Sequence, residues 1–175
     1  MLPFLHDRLA VIDLETTGTA ATSDGITEIG IVRIEGGRVV EEWSSLVNPE
    51  MSIPPEIQAL TGITDAMVRD APTFSELADQ VLARLEGHLF VAHNARFDYG
   101  FIKNAFRRMG APFSAEVLCT VRLSRKLYPQ HAQHGLDMLI SRHNLLGPAE
   151  LVDSSGRAHP SPQPSPIRGE GENGG

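Results

Sequence analysis

The sequence predicts an α/β protein with a mixed sheet and helices packed on its faces. Three observations support this class: two alternating runs joined at Gly36-Gly37, two segments with helically spaced apolar residues, and a short apolar run between those segments. A Gly-Gly turn favours an antiparallel hairpin, whereas a strand–helix–strand–helix succession favours parallel pairing. With 175 residues, 41% of them hydrophobic, the chain is long enough for one domain with a substantial core.

The first half of the chain begins with strands. Residues 8–14 predict the first strand, and residues 26–49 predict two strands that meet at Gly36-Gly37. Pro54-Pro55 then opens a short helix, and Gly62 ends it.

A turn and a longer helix follow. The helix is predicted over residues 73–86, before a stop at Gly87, and its apolar positions recur at helical spacing: Phe74, Leu77, Ala78, Val81, Leu82 and Leu85.

The second half alternates strands and helices. Residues 88–93 predict a short buried strand, 116–123 another strand, and 134–143 a helix. Between the two strands, residues 96–109 predict a helix with these residues turned inward: Phe97, Phe101, Ile102, Ala105 and Phe106.

The composition changes near Ser154. Residues 154–175 contain 4 Pro, 5 Gly and 4 Ser, with only Ala158 and Ile167 as apolar side chains. Such a segment cannot bury enough surface to offset its ordering entropy, so we predict disorder. The expected organisation is a folded domain over 1–150 and a tail over 151–175.

Composition also excludes several classes of protein. No run approaches the roughly 20 apolar residues that cross a bilayer, and the N-terminus lacks the apolar core of a signal peptide. The single cysteine, Cys119, excludes an internal disulfide and indicates a reducing cytoplasm. Its apolar neighbours favour a small buried side chain over a nucleophile.

Charge is distributed unevenly along the chain. The net charge is −7, but residues 1–95 carry 5 basic and 15 acidic residues, a net of −10. Residues 96–126, called the basic segment below, carry a net of +5 from 2 acidic residues and seven basic ones: Arg96, Lys103, Arg107, Arg108, Arg122, Arg125 and Lys126. This segment suits contact with phosphates, although on charge alone a solvated helix face is the favoured reading.

Two carboxylates interrupt the first predicted strand. Asp13 and Glu15 project to one face because strand side chains alternate, and two unpaired acids there would repel each other. A cation between them removes that cost, and hard oxygen ligands suit Mg²⁺ or Mn²⁺. The simpler alternative is a strand end with two solvated acids.

A third carboxylate follows the strand over 88–93. Asp98 lies one turn into the next helix, where the helix dipole favours an acid, so capping alone could explain it. Strand-to-helix junctions at one sheet edge also form sites in α/β proteins, and Asp98 would complete a three-carboxylate cradle with Asp13 and Glu15. Thr16-Thr17-Gly18 would leave backbone N–H groups free to approach a phosphate.

Three motifs, "DLETTG", "ALTGIT" and "AHNARFDYGF", occur in this order between residues 13 and 101. Together they resemble the DEDD-type 3′–5′ exonuclease family, above all the epsilon proofreading subunits of bacterial DNA polymerase III and their stand-alone relatives. The resemblance covers residues 8 to about 146. The resemblance implies a ribonuclease H-like fold and two divalent ions, Mg²⁺ or Mn²⁺.

The resemblance also implies roles for particular residues. Asp13, Glu15 and Asp98 would be the catalytic, metal-binding residues. The implied substrate is a DNA 3′ end, with RNA left open and a polymerase subunit as a possible partner. The residues that would contact the terminal nucleotide are Thr16, Thr17, Leu60, Thr61, Asn94 and Phe97. Phe97 and Leu60 suit this role because apolar groups stack against a base without reading its identity.

The family's last motif has no counterpart here. It would supply a histidine general base and, five residues later, a fourth metal-binding aspartate. The only histidine in the chain with an aspartate at that spacing is His93, with Asp98, and hydrogen bonding of the loop is the favoured role for His93. Neither Asp137, expected at an exposed helix position, nor His159 in the tail is a convincing substitute.

This absence leads to one expectation and leaves three readings open. We expect a chain without its last helix, by truncation or frameshift, and with impaired activity. The readings are an exonuclease by descent, a module that binds single-stranded nucleic acid without cleaving it, and the remnant of a gene. A salt-dependent affinity without product would favour the second, and poor folding the third.

Overall fold

The computed structural model describes residues 7–145. These residues fall into two compact units, 7–132 and 133–145, and each is described by itself. The expected domain boundary near residue 150, the tail and His159 lie outside the described residues.

The first unit contains five strands: β1 (Arg8–Thr16), β2 (Ile26–Glu35), β3 (Arg38–Leu46), β4 (Leu89–Ala92) and β5 (Val117–Cys119). They form a mixed sheet in the order β3-β2-β1-β4-β5. β1–β2 and β2–β3 pair antiparallel, whereas β1–β4 and β4–β5 pair parallel, which confirms the predicted mixed sheet. Gly36 and Gly37 join β2 to β3 with φ of 56° and 76°, values that favour glycine.

The described helices follow most of the expected segments. They are α1 (Pro55–Thr61), α2 (Asp65–Val68), α3 (Phe74–Leu85), α4 (Arg96–Arg108), α5 (Thr120–Leu127) and α6 (Leu136–His143), and α6 alone lies in the second unit. α1 begins after Pro54 and ends at Gly62, whose φ is 76°, as predicted. None of the helices within residues 7–145 is long and apolar enough to span a bilayer.

The strand predicted over residues 116–123 is wrong in its second half. β5 ends at Cys119, where its parallel pairing with β4 ends, and α5 begins at Thr120. Beyond that point the backbone has no neighbouring strand to pair with, so helical hydrogen bonds satisfy it instead. The β-branched residues Thr120 and Val121 suggested a strand, but strand propensity depends on such context.

The main core lies between one face of the sheet and the helices α3 and α4. Ala10, Ile12 and Leu14 of β1 point into it, and the edge-to-face pair Phe74–Phe106, 5.2 Å between ring centroids, joins the two helices. The alternation that buries these β1 residues turns Asp13 and Glu15 to the opposite face of the sheet.

Candidate functional site

The end of β1 presents two acids on the face opposite the main core. Leu14 is 6% exposed, whereas Asp13 is exposed and Glu15 half-buried. A bulge between Glu15 and Thr16 interrupts the pairing with β2 directly after these acids. Such bulges end regular pairing and redirect side chains, which places the acids at the rim of the sheet.

Asp98 connects the first turn of α4 to β1. Its side chain is 97% buried, since only 3% is exposed, and it accepts hydrogen bonds from its own N–H and from the N–H of Leu14. Burial first, and then the negative charges of Asp13 and Glu15, raise the pKa of Asp98 to about 7, against the lowering effect of those two hydrogen bonds. The charges of Asp13 and Glu15 at the end of β1 therefore reach Asp98 at the start of α4.

Glu15 has a similar environment. Burial is the largest cause that raises the pKa of Glu15 above its ordinary value. The negative charges of Asp13 and of Glu28 also raise it. Glu28 lies directly opposite Glu15 on β2 and was not singled out from the sequence. The residue could not be found by pattern alone, because the register of β1 against β2 is set across the intervening loop and not by a tight turn.

The carboxylate oxygen atoms of Asp13, Glu15 and Asp98 are chemically suited to a hard divalent cation. Mutually repelling, partly desolvated carboxylates are the groups that a cation stabilises, and their oxygen atoms match Mg²⁺ or Mn²⁺. Between residues 7 and 145, however, no three His, Cys, Asp or Glu side chains are already gathered in an arrangement that could hold an ion. Asp13, Glu15 and Asp98 would therefore have to close around a cation as it binds.

The loop after β1 is held closed by Thr17. The N–H of Thr17 donates to the carbonyl of Gly25 at 2.9 Å, and the N–H of Gly25 donates to Thr17 Oγ1 at 3.0 Å. The expectation that this N–H is free for a phosphate is thus wrong for Thr17, whose residue is only 3% exposed. Thr16 Oγ1 donates to the Gly18 carbonyl at 2.6 Å, so both threonines shape the loop.

The remaining predicted substrate residues differ in exposure. Leu60 is 80% exposed on α1, and Phe97 is half-buried against Phe101, 4.9 Å between ring centroids. Asn94 is exposed with a positive φ of 69° and accepts the Phe97 N–H through its carbonyl. Thr61 donates its hydroxyl to the Ile57 carbonyl at 2.9 Å, so its side chain satisfies a backbone acceptor in the last turns of α1.

His93 hydrogen-bonds the start of α5. Its Nδ1 lies 2.9 Å from Thr120 Oγ1, in keeping with the structural role favoured from the sequence. Asp137 is exposed on α6, as expected. Cys119 is half-buried and packs against the main core.

The seven basic side chains of the basic segment are all exposed, on α4 and α5. α5 leaves the sheet at the end of β5, which is parallel to β1 and β4, so it starts at the edge that carries the acids. A separate cavity of about 400 Å³ lies between residues 23–26, 47–51 and the helices α3 and α4, and none of Asp13, Glu15 and Asp98 lines it.

The fold and this edge define a protein class: mixed-sheet α/β proteins with clustered carboxylates at the strand ends. A family model described as "Exonuclease" matches residues 10–147. The solved structure of exonuclease X in complex with 5′ overhanging duplex DNA aligns with a TM-score of 0.63 and 31% identity, over 79% of this chain and 74% of that one. These findings confirm the ribonuclease H-like fold.

Two curated relatives are similar over most of the chain. The 3′–5′ exonuclease DinG of Staphylococcus haemolyticus is 38% identical over 141 residues, 80% of this chain and 16% of its own length. A PolC-type DNA polymerase III of Caldanaerobacter subterraneus subsp. tengcongensis is 40% identical over 135 residues, 77% of this chain and 10% of its own. The chain spans less than a fifth of either relative.

The chain therefore belongs to the DEDD-type 3′–5′ exonuclease family, as its motifs indicated. Members of this family generally use divalent metal ions.

Proposed function

We propose that this chain forms a metal-dependent 3′–5′ exonuclease domain that acts on DNA 3′ ends and releases nucleoside monophosphates. The observation that carries the proposal is that Asp98, buried at the start of α4, lies close enough to Asp13 and Glu15 at the end of β1 for their charges to raise its pKa. In a chain of this family, that arrangement supports an ion-binding role for all three.

In this proposal, some residues at the end of the sheet bind the ions and others bind the substrate. Bound divalent ions, two in our proposal, would activate the attacking water and stabilise the leaving 3′ oxygen. Asp13, Glu15 and Asp98 would hold them. Leu60 and Phe97 would stack against the terminal base, and Asn94 would present its polar side chain beside them.

We further propose that turnover by this chain is low. No histidine apart from His93 is followed by an aspartate five residues later, and the His93 ring is hydrogen-bonded to Thr120. A general base typically contributes about 10²–10⁴-fold to the rate, and a missing ligand would weaken the second ion as well.

The test is release of labelled nucleotide from a 3′-labelled single-stranded oligonucleotide, with Mg²⁺, with Mn²⁺ and with EDTA. We expect little or no product from residues 1–175. A chimera that adds a helix bearing histidine and aspartate at the family's spacing should gain metal-dependent release, and Asp13→Ala should abolish it. Turnover by the unaltered chain that Asp13→Ala removes would contradict the impairment, and a chimera that stays inactive would count against the exonuclease assignment.

A second candidate function is binding of single-stranded nucleic acid without cleavage. The exposure of every basic side chain on α4 and α5 favours it. Affinity that falls with salt, with no product formed, would separate this function from catalysis. RNA is a further candidate substrate within the first proposal.

The relatives named for DNA polymerase III suggest a polymerase as a partner, which co-purification with a polymerase subunit would test. We also propose that the protein acts in the cytoplasm.

A further inference from the structure

We infer that this chain forms a two-fold dimer in which helix α5 of each copy lies on the sheet of its partner, on the face opposite the main core. The contact joins an aliphatic and acidic surface of β1–β3 to an aliphatic and basic surface of α5. One chain carries both surfaces, so the partner is a second copy of this chain.

Five side chains of β1–β3 form an aliphatic surface, called the outer face below, on the side of the sheet opposite the main core. Leu9, Ile34 and Val39 are paired across the three strands, and Val11 and Val32 are paired in the next row. Val39 is 56% exposed, and the other four are half-buried. None of the five belongs to or packs against a hydrophobic cluster found within residues 7–145.

An aliphatic outer face is unusual for antiparallel strands. When one face of such a sheet is solvated, apolar residues normally alternate with polar ones. β1 instead carries apolar side chains on both faces: Ala10 and Ile12 belong to the main core, and Leu9 and Val11 alternate with them. A contiguous apolar surface of this kind marks an interaction site.

The charges on this side of β1–β3 are all negative. Glu42 is exposed on β3, opposite Val32, and so extends the second aliphatic row. Further along the same face are three more acids, Asp13, Glu15 and Glu28. The arginines of the three strands stand at positions of the other face: Arg8, Arg33 and Arg38. An occupant that matches the outer face is therefore both aliphatic and basic.

Helix α5 presents this combination. Leu123 and Leu127 lie one turn apart and are 38% and 58% exposed. Arg122 and Lys126, both exposed, form the neighbouring row, because residues four apart share one face of a helix. Ser124 is only 5% exposed, so α5 contacts its own copy through another side and leaves the leucines and these basic side chains available.

The dimensions of the two surfaces agree. α5 has 8 residues and is about 12 Å long at 1.5 Å per residue. Strands about 4.8 Å apart place β1 and β3 roughly 10 Å from each other. One α5 can therefore lie across β1, β2 and β3 and bring Arg122 or Lys126 to Glu42. Because the contact is made twice, a two-fold axis closes the assembly as a dimer.

The first experiment measures the mass of the full chain by sedimentation equilibrium over a range of concentrations, where we expect a monomer–dimer equilibrium. Leu123→Ser/Leu127→Ser and Val32→Thr/Val39→Thr should each raise the dimer Kd on the order of tenfold, because each removes apolar contacts at the centre of the interface. Leu82→Ser is the matched control, since Leu82 is a helical leucine with 39% exposure outside both surfaces, and it should leave the Kd unchanged.

The second experiment exchanges the charges. Arg122→Glu/Lys126→Glu and Glu42→Lys should each weaken the dimer when alone, whereas their mixture should form heterodimers, because each α5 then meets a face of opposite charge. Lys103→Glu/Arg107→Glu is a control with the same spacing and charge change on exposed positions of α4. It should neither weaken the dimer nor pair preferentially with Glu42→Lys.

Three results would overturn the inference. The first is a monomer at every concentration, or aggregates without a defined stoichiometry, which would leave the outer face to another kind of partner. The second is a dimer whose Kd is unchanged in both the leucine and the valine variants. The third is a mixture of folded charge variants that forms no heterodimers. Circular dichroism and Tm identify any variant that does not fold, and the surface charge variants then decide the question.

Discussion

At the scale of single residues, Asp98 is an ionisable side chain whose surroundings disfavour its charged form. Asp98 is 97% buried beside Asp13 and Glu15, with two backbone N–H groups as its hydrogen-bond donors. Burial without a cation favours the neutral acid, whereas a bound cation would favour the carboxylate. The stability of the metal-free protein therefore depends on whether Asp98 is protonated.

The first prediction concerns this coupling in EDTA. The pKa of Asp98 is raised from 3.8 to about 7, so the stability that its neutral form contributes is fully present below pH 3.8 and is lost as pH rises through about 7. Wild-type protein should lose Tm between pH 5 and pH 8, and Asp98→Asn should lose less. Asp79→Asn, on the exposed face of α3, is the control and should follow wild type. Equal slopes for Asp98→Asn and wild type would refute the prediction.

The second prediction concerns Thr17. Thr17→Val removes the acceptor of the buried Gly25 N–H and should lower the free energy of unfolding by about 1–3 kcal/mol, because that donor is left without a partner. Thr17→Ser keeps the hydroxyl and should lose less. Urea denaturation measures both, and equal losses for the two variants would show that the methyl group, and not the hydroxyl, stabilises the loop.

At the scale of elements, the ends of helices and strands set the positions of the functional residues. α1 must end sharply for Leu60 to stand on the surface, and Gly62 provides this end with its left-handed backbone. β4 and β5 end at the same level of the sheet, and α5 begins at the next residue. The basic side chains of α5 therefore lie close to that end of the sheet.

The third prediction uses two glycines in opposite conformations. Gly62→Ala places a Cβ at a φ of 76° and should destabilise the protein by about 1–2 kcal/mol. Gly100 lies within α4, where an added Cβ meets only the Ala21 Cβ, at an ordinary 3.7 Å, so Gly100→Ala should stabilise by about 0.5–1 kcal/mol. Thermal or urea unfolding measures both. Changes of the same sign would contradict this argument.

At the scale of the whole molecule, charge is separated along the chain. The net charge of −7 conceals a basic segment with a net of +5, exposed on α4 and α5. Net charge alone would argue against a nucleic-acid partner, whereas a local concentration of exposed cations favours one through release of counterions from phosphates.

The fourth prediction concerns this segment. Affinity for a single-stranded oligonucleotide, measured by fluorescence anisotropy, should fall as salt rises. The double variant Arg122→Glu/Lys126→Glu should bind more weakly at low salt and show a shallower salt dependence. Arg38→Glu, an exposed charge reversal on β3, should leave both unchanged. Equal effects per reversed charge would indicate a response to net charge alone.

The sequence determined most of the local structure and the family. Four strands and four helices were located closely from apolar periodicity together with the signals of Gly36-Gly37, Pro54-Pro55 and Gly62. These signals act within a few residues of the chain. The alternation along β1 also placed Asp13 and Glu15 on one face, and the three motifs indicated the family that the comparisons confirmed.

Tertiary structure decided what depends on neighbours distant in the chain. The start of α5 at Thr120 follows from the end of β4, and the burial of Asp98 follows from the packing of α4 against β1. Only the register across β1 and β2 brings Glu28 opposite Glu15. Such pairings are set by the packing of the whole sheet, because a shift of one residue would turn every side chain to the other face, and no short stretch of sequence contains that information.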